Sequence, residues 1–303
     1  MTKPYTTLSE HLKDRWGEKV FKVTIDAGFT CPNRDGTRGV GGCVYCLDAA
    51  LQPLAFNGNS IEEQLDAGIK LVRKRHHANK FIAYYQLNTN TYGSVTELEK
   101  IYKPALENSG VSAIAVSTRP DCLEEDVLEL LCKIKLKKPL WVELGLQSSN
   151  DATLERVNRG HTSAVFADAV NRAREKGIDV CAHVIIGLPG ETLDDMLRTV
   201  RFLSDLPVWG VKFHQLQVLK GTRLEEMYNN GEVSCLPLAE YVAIVVECLE
   251  LLPPNVVIHR LSSDAPLKYI VAPKWGINKF IIISAIEKLM VEKKTFQGAK
   301  YRG

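Results

Sequence analysis

The chain has 303 residues, 45% of them hydrophobic and 24% charged, with a formal net charge of +2. These are globular values that exclude a mostly disordered chain, and the length suits one large α/β domain. No apolar run approaches the roughly 18–20 residues that cross a bilayer. The opening stretch MTKPYTTLSEHLKD has no apolar core, so a cytoplasmic, reducing compartment is expected, where cysteines serve as metal ligands, catalytic groups or core residues rather than disulfides.

In chain order, strand patterns fall at residues 19–25, 81–86, 111–117, 140–146, 180–186 and 210–218, with a weaker one at 255–259. Several are short continuous apolar runs, as buried parallel strands are. Helix patterns lie between them at 61–76, 94–106, 123–136, 152–176 and 193–206. Asp121 is a candidate N-cap for the third of these, and Thr192 with Asp195 makes a capping-box pattern at the start of the last. The alternation predicts β-α units and a parallel sheet, either curled into a barrel or open and doubly wound. Pro253-Pro254 marks a break, giving an N-terminal segment 1–18, a body 19–252 and a short C-terminal extension 253–303. Two stretches are basic: 70–80 carries five Lys/Arg and no acid, and 279–303 carries six Lys/Arg against two Glu. Each reads as a polyanion-binding surface or as a solvated face.

Just past the first strand come Cys31, Cys43 and Cys46, spaced C-x11-C-x2-C around a loop rich in glycine. The C-x2-C pair presents two thiolates to one centre, and Cys31 supplies a third. A structural zinc site wants four ligands, and no histidine lies near this loop. A four-iron cluster held by three cysteines would leave one iron open to a small molecule. Cys122, Cys132, Cys181, Cys235 and Cys248 show no metal spacing; Cys132, Cys181 and Cys248 fall in apolar segments and read as packing residues.

With Tyr45 directly before Cys46, and with STRPD at 117–121, VELGLQS at 142–148, NRGH at 158–161 and HVIIGLPGET at 183–192, the chain resembles the radical S-adenosylmethionine (radical SAM) superfamily. The order of these motifs resembles the branch that contains the Elongator catalytic subunit. TIDAGFTCPNRDGT at 24–37, QLNTNTYG at 86–93, LQVLKGT at 216–222 and HRLSSDAP at 259–266 bring it nearest to the bacterial YhcC/YtqA-like group. The superfamily's commonest cluster loop is C-x3-C-x2-C, but closing the longer gap found here costs only about 1 kcal/mol more.

The resemblance implies a partial (β/α)6 barrel with Cys31, Cys43 and Cys46 holding a 4Fe-4S cluster at the C-terminal strand ends, and S-adenosylmethionine (SAM) as the second cofactor. One electron from the cluster would cleave SAM to methionine and a 5′-deoxyadenosyl radical, which abstracts hydrogen from substrate. Tyr45 and Gly187 would lie near the adenine, and Gln86, Asn88, Thr89 and Asn90 at SAM's amino end. Arg119 is a candidate for the SAM carboxylate or for helix-start packing; Glu143, expensive to bury without a partner, for ribose or ammonium or for a structural ion pair; and Gln147 for SAM or substrate. Arg159 and His161 read as substrate-side groups or as a turn, and His214 as a site candidate or a structural histidine. No residue stands out as the catalytic one. The implied partners are a low-potential electron donor of flavodoxin or ferredoxin type, and tRNA modified at the wobble-uridine side chain; no membrane is implied. The competing readings are radical chemistry on a small metabolite or peptide, and a non-catalytic iron–sulfur or zinc protein.

Overall fold

A computed structural model describes residues 3–47, 60–263 and 265–303; Asp264, in the HRLSSDAP stretch, lies outside them. Among the described residues, one parallel sheet contains β1 (Val20–Ile25), β2 (Lys80–Tyr85), β3 (Val111–Thr118), β4 (Leu140–Gln147), β5 (Asp179–Ile186), β6 (Gly210–Gln215) and β8 (Val257–Arg260). A separate pair, β7 (Val218–Leu219) and β9 (Ile270–Ala272), is antiparallel.

The spatial order of the large sheet follows chain order with no reversal. A doubly wound sheet reverses at a switch point, whereas a barrel adds each strand to the same side. Contacts across the concave face show the curl directly. The Lys22 ammonium on β1 lies 2.8 Å from the Glu143 carboxylate on β4. Those strands are three positions apart, about 14 Å across a flat sheet. The fold is therefore the α/β half-barrel, with the weak segment at 255–259 supplying a further strand.

Alternation along each strand sorts the side chains. Val23, Phe81, Ile114, Val142, Val180 and Val211 face outward into the main hydrophobic core beneath the helices. Lys22, Tyr84, Glu143, His183 and Lys212 meet inside the barrel. The N-terminal end of the barrel is closed by α1 (Leu8–Trp16), whose buried Leu12 joins Ile82, Ala113, Trp141 and Cys181, with Trp16 and Trp209 packed against them.

The outer layer includes α2 (Ile61–His76), α3 (Val95–Glu107), α4 (Glu125–Lys137), α5 (Asp151–Arg156), α6 (Ser163–Glu175), α7 (Leu193–Ser204), α8 (Arg223–Asn229), α9 (Leu238–Leu251) and α10 (Lys279–Glu292). Reciprocal capping boxes open α2 at Ser60 and Glu63, α3 at Ser94 and Glu97, and α7 at Thr192 and Asp195.

Two expectations about helices are corrected. The single helix at 152–176 is two helices, α5 and α6, because Asn158 and Gly160 between them adopt positive φ of 53° and 76°. Asp121 does not cap α4, whose N-cap is Glu124; its carboxylate instead accepts two hydrogen bonds from the Arg119 guanidinium, both 2.9 Å.

The C-terminal tail is tied to the body. The Gln297 side chain accepts from Thr6 N at 3.0 Å and donates to the Pro253 and Val256 carbonyls. Within the basic C-terminal stretch, Lys300 pairs with Glu250 at 2.5 Å and Lys288 with Glu292 at 3.7 Å. The other basic stretch ends α2 and enters β2, so it lies at the N-terminal end of the strands, roughly 20 Å from their C-terminal ends. No described helix is long and apolar enough to cross a membrane. None of the eight cysteines, all of them among the described residues, is in a disulfide.

Candidate active site

The C-terminal strand ends surround a cavity of about 560 Å³. Cys31, Cys43 and Cys46 line its mouth, and Tyr84, His183, Lys212, His214 and Arg260 line its deeper part.

The cysteines line one cavity because the long gap is folded rather than slack. The residues between Cys31 and Cys43 form a small hairpin, with Gly36 N donating to Gly39 O and a bridge between Asp35 and Val40. Hydrogen bonds from Thr37 and Thr30 hold the hairpin and keep the Asp35 carboxyl below the usual carboxylate range. Gly39 packs against Asn33 so closely that a Cβ there would sit 2.2 Å from Asn33 Oδ1. Gly42 N closes the hairpin on Asn33 O at 2.9 Å, and Cys46 N turns back to Cys43 O at 3.0 Å.

The turn at 158–161 clamps this loop. Asn158 Nδ2 donates to the carbonyls of Val40 and Gly42, and Asn33 Nδ2 donates to Asn158 O at 2.6 Å. The buried Arg159 guanidinium lies 3.7 Å from Cys43 Sγ and donates to Gly145 O at 2.6 Å. Asn33 Nδ2 also approaches Cys43 Sγ, at 3.7 Å. Two N–H groups thus face one sulfur. Gly145 makes room for the arginine: a Cβ would stand 2.6 Å from Arg159 Nη2.

The donor set at the mouth can be tested against an iron–sulfur cluster. Among the described residues, no three His, Cys, Asp or Glu side chains converge as they would on one metal ion. A cluster of several irons takes each thiolate on a different iron, so its cysteines need not converge. Among the described residues the buried Tyr45 hydroxyl and Arg159 Nε find no hydrogen-bond partner, leaving polar atoms at the cavity wall for a bound group. The three thiols and these atoms fit a multi-iron cluster better than a closed zinc site. The other thiols behave differently. Burial pushes Cys122 up to about 12 and raises Cys181 and Cys248, so these remain neutral packing groups.

Tyr45, Gln86, Asn88, Thr89, Arg119 and Gln147 line the cavity. Asn88 and Gln147 adopt positive φ of 57° and 74°, and the β4–β5 register shifts at Gln147. Such strain in a cavity wall is a mark of a functional position. Asn88 Nδ2 also donates to Phe29 O at 2.9 Å, pinning the cysteine loop. Arg119 spends its guanidinium on Asp121 and on the Arg159 carbonyl at 3.0 Å.

Asn90, Glu143 and Gly187 are not in the cavity wall. Asn90 is fully buried and donates to the carbonyls of Tyr85, Leu87 and Ser117, joining the ends of β2 and β3. Gly187, at φ 89°, packs against Leu236.

Glu143 lies beneath the floor with no exposed surface. Its oxygens accept from Lys22 at 2.8 Å, Tyr84 at 2.7 Å, Trp141 at 3.2 Å and His183 at 3.1 Å, and from Lys212. Burial alone would raise this carboxyl; Lys212 and Lys22 outweigh it and hold the group well below the usual carboxylate range. Burial lowers the Lys212 ammonium to about 7 against the pull of Glu143. Burial likewise lowers His183 to about 4 and His259 to about 3, and drives His214 well down, so all three are neutral at physiological pH.

The sequence reading named neither Tyr84, Lys212 nor Arg260. The available signal was polar residues at alternate positions of otherwise apolar strands, as in GVKFHQ at 210–215.

The family model described as the radical SAM superfamily matches residues 31–203, and one described as the Radical_SAM C-terminal domain matches 208–292. The chain belongs to the radical SAM superfamily, whose enzymes use a 4Fe-4S cluster and SAM. It is 38% identical to the Bacillus subtilis protein YtqA over 98% of this chain and 92% of that one. It is 29% identical to a tRNA uridine(34) acetyltransferase of Dehalococcoides mccartyi, over 62% of this chain but only 41% of that longer protein. The archaeal Methanocaldococcus infernus Elp3 shares the fold, with a TM-score of 0.70 at 21% identity, over 92% of this chain and 64% of the solved one.

The neutral histidines predict a specific pH dependence. The unfolded chain takes up protons near 6.5, whereas folded His183 and His259 refuse them until about 4 and about 3. Stability is therefore present above about pH 6.5 and falls as pH drops toward 4, by up to about 1.4 kcal/mol per pH unit for each histidine. Urea unfolding between pH 7 and 4.5 should show this slope, and His259→Leu should flatten it by about one proton. A slope unchanged in that variant would contradict the assignment.

Proposed function

We propose that Cys31, Cys43 and Cys46 ligate the 4Fe-4S cluster and that the cavity below them receives SAM and then substrate. The observation that supports this most is that Cys31, Cys43 and Cys46, all from one folded loop, line the same cavity, with a buried guanidinium beside Cys43. A reduced cluster and SAM, when bound, supply one-electron cleavage of the sulfonium and hydrogen abstraction from substrate.

The residues of the chain have separable roles in this reading. Arg159 and Asn33 direct N–H groups at Cys43 Sγ and lower the cost of its negative charge. Tyr45 offers an aromatic face beside the cluster loop for the adenine. Gln86, Asn88, Thr89 and Gln147 supply neutral hydrogen-bonding groups suited to SAM's ammonium and ribose. Arg119, already paired with Asp121, positions the backbone of Arg159. Asn90 and Glu143 support the walls from behind. A low-potential donor of flavodoxin or ferredoxin type supplies the electron.

For the substrate, we propose tRNA, modified at the wobble-uridine side chain. The likeness to a tRNA uridine(34) acetyltransferase supports this. The basic stretch at 70–80 does not add to it, since it lies at the far end of the strands from the cavity.

Anaerobic reconstitution followed by reduction with SAM should give 5′-deoxyadenosine. Cys43→Ser should lower the yield at least a hundredfold, whereas Cys248→Ser, in the core, should retain cleavage. Equal yields from the two variants would remove Cys43 from the cluster. For the substrate, nucleoside analysis of tRNA from a deletion strain should show a changed wobble uridine; an unchanged profile would discard tRNA.

A further inference from the structure

The half-barrel carries more positive charge inside than its carboxylate can neutralise. Among the described residues, Lys22, Lys212 and Arg260 face the interior, against the one carboxylate of Glu143. The two lysines already share Glu143, and the histidines around them are neutral. Arg260 lines the cavity, half-buried, and makes no hydrogen bond or ion pair with any described residue. Its direction follows from the backbone. β6 and β8 pair Val211 with Ile258 and Lys212 with Arg260, so His259 is an extra residue in the ladder. This bulge lets His259 fill the space beside Gly210 while Arg260 turns toward the cavity. Beside it, Lys212 gives two of its three N–H groups to Tyr84 Oη and Glu143, and has one left.

A half-buried guanidinium that no described carboxylate pairs with is costly, and a bound anion offsets that cost. We propose that Arg260 and Lys212 form an anion-binding subsite at the cavity floor, and that the substrate presents a carboxylate or a phosphate there. The inference rests on the cavity being the reaction chamber. His214 refines the expected ligand. Ser263 Oγ donates to Gln215 O at 3.0 Å, so His214 Nδ1 donates to Ser263 at 3.3 Å, and its buried Nε2 remains a free acceptor. A ligand with an O–H or N–H close to its anionic group meets both.

The probes are inorganic phosphate and acetate, compared with chloride at equal ionic strength and pH 6.5, with melting temperature of the purified full chain as the readout. One of the two anions should raise the melting temperature saturably. Saturation by phosphate alone identifies a phosphoryl group, and saturation by acetate alone a carboxylate. Arg260→Met should weaken the half-saturating concentration at least tenfold, Arg260→Lys should restore part of it, and Arg198→Met on the exposed face of α7 should leave it unchanged. No shift with either anion, or a shift unaltered in Arg260→Met, would overturn the subsite. An equal loss of SAM binding in Arg260→Met would also overturn it, by assigning the guanidinium to SAM's carboxylate. Failure of the wild type to cleave SAM, with the anion shifts intact, would overturn the chamber reading and leave the subsite standing.

Discussion

Five strands place a hydrogen-bond donor around the Glu143 carboxylate, and the inside of the half-barrel is organised on that group. Lys22 comes from β1, Tyr84 from β2, Trp141 from β4, His183 from β5 and Lys212 from β6. An ionised carboxylate with no exposed surface is tolerable only with such a full set of partners. Removing it alone would leave two ammonium groups inside the barrel uncompensated, a loss on the order of 3–5 kcal/mol. Below this hub, α1 and the tryptophans close the barrel with apolar surface. Above it, the lumen is polar and open.

The upper edge depends on a second linked set of contacts. Arg119 is held by Asp121 and holds the Arg159 carbonyl; Arg159 in turn faces Cys43 Sγ and bonds to Gly145 on β4. The position of the cysteine loop is thereby transmitted to the ends of β3 and β4, which also carry the cavity wall. The long C-x11-C gap is accommodated because its own hairpin spans it, and the closure entropy is recovered in local hydrogen bonds.

Much of this was legible in the chain. Continuous apolar runs located the strands, and Thr192 with Asp195 located the start of α7. The cysteine loop and the polar run after β2 indicated which ends of the strands carry the site. Other features were not legible, for physical reasons. Asn158 adopts positive φ inside a helical pattern because of tertiary contacts to the cysteine loop, which no local propensity encodes. Asp121 looked like a cap because nothing local says that Arg119 will claim it. Glu143 was visibly expensive to bury, but its partners come from strands distant in sequence. Arg260 depends on a bulge, a matter of register between two strands that periodicity cannot see.

In the proposed function Cys31, Cys43 and Cys46 would hold a four-iron cluster that also binds SAM. Electron paramagnetic resonance of the reduced, reconstituted protein tests it most directly. The account predicts the signal of a reduced 4Fe-4S cluster that changes line shape when SAM is added, and its loss in Cys31→Ser, Cys43→Ser or Cys46→Ser. A cluster signal indifferent to SAM, or one that survives those substitutions, would contradict it.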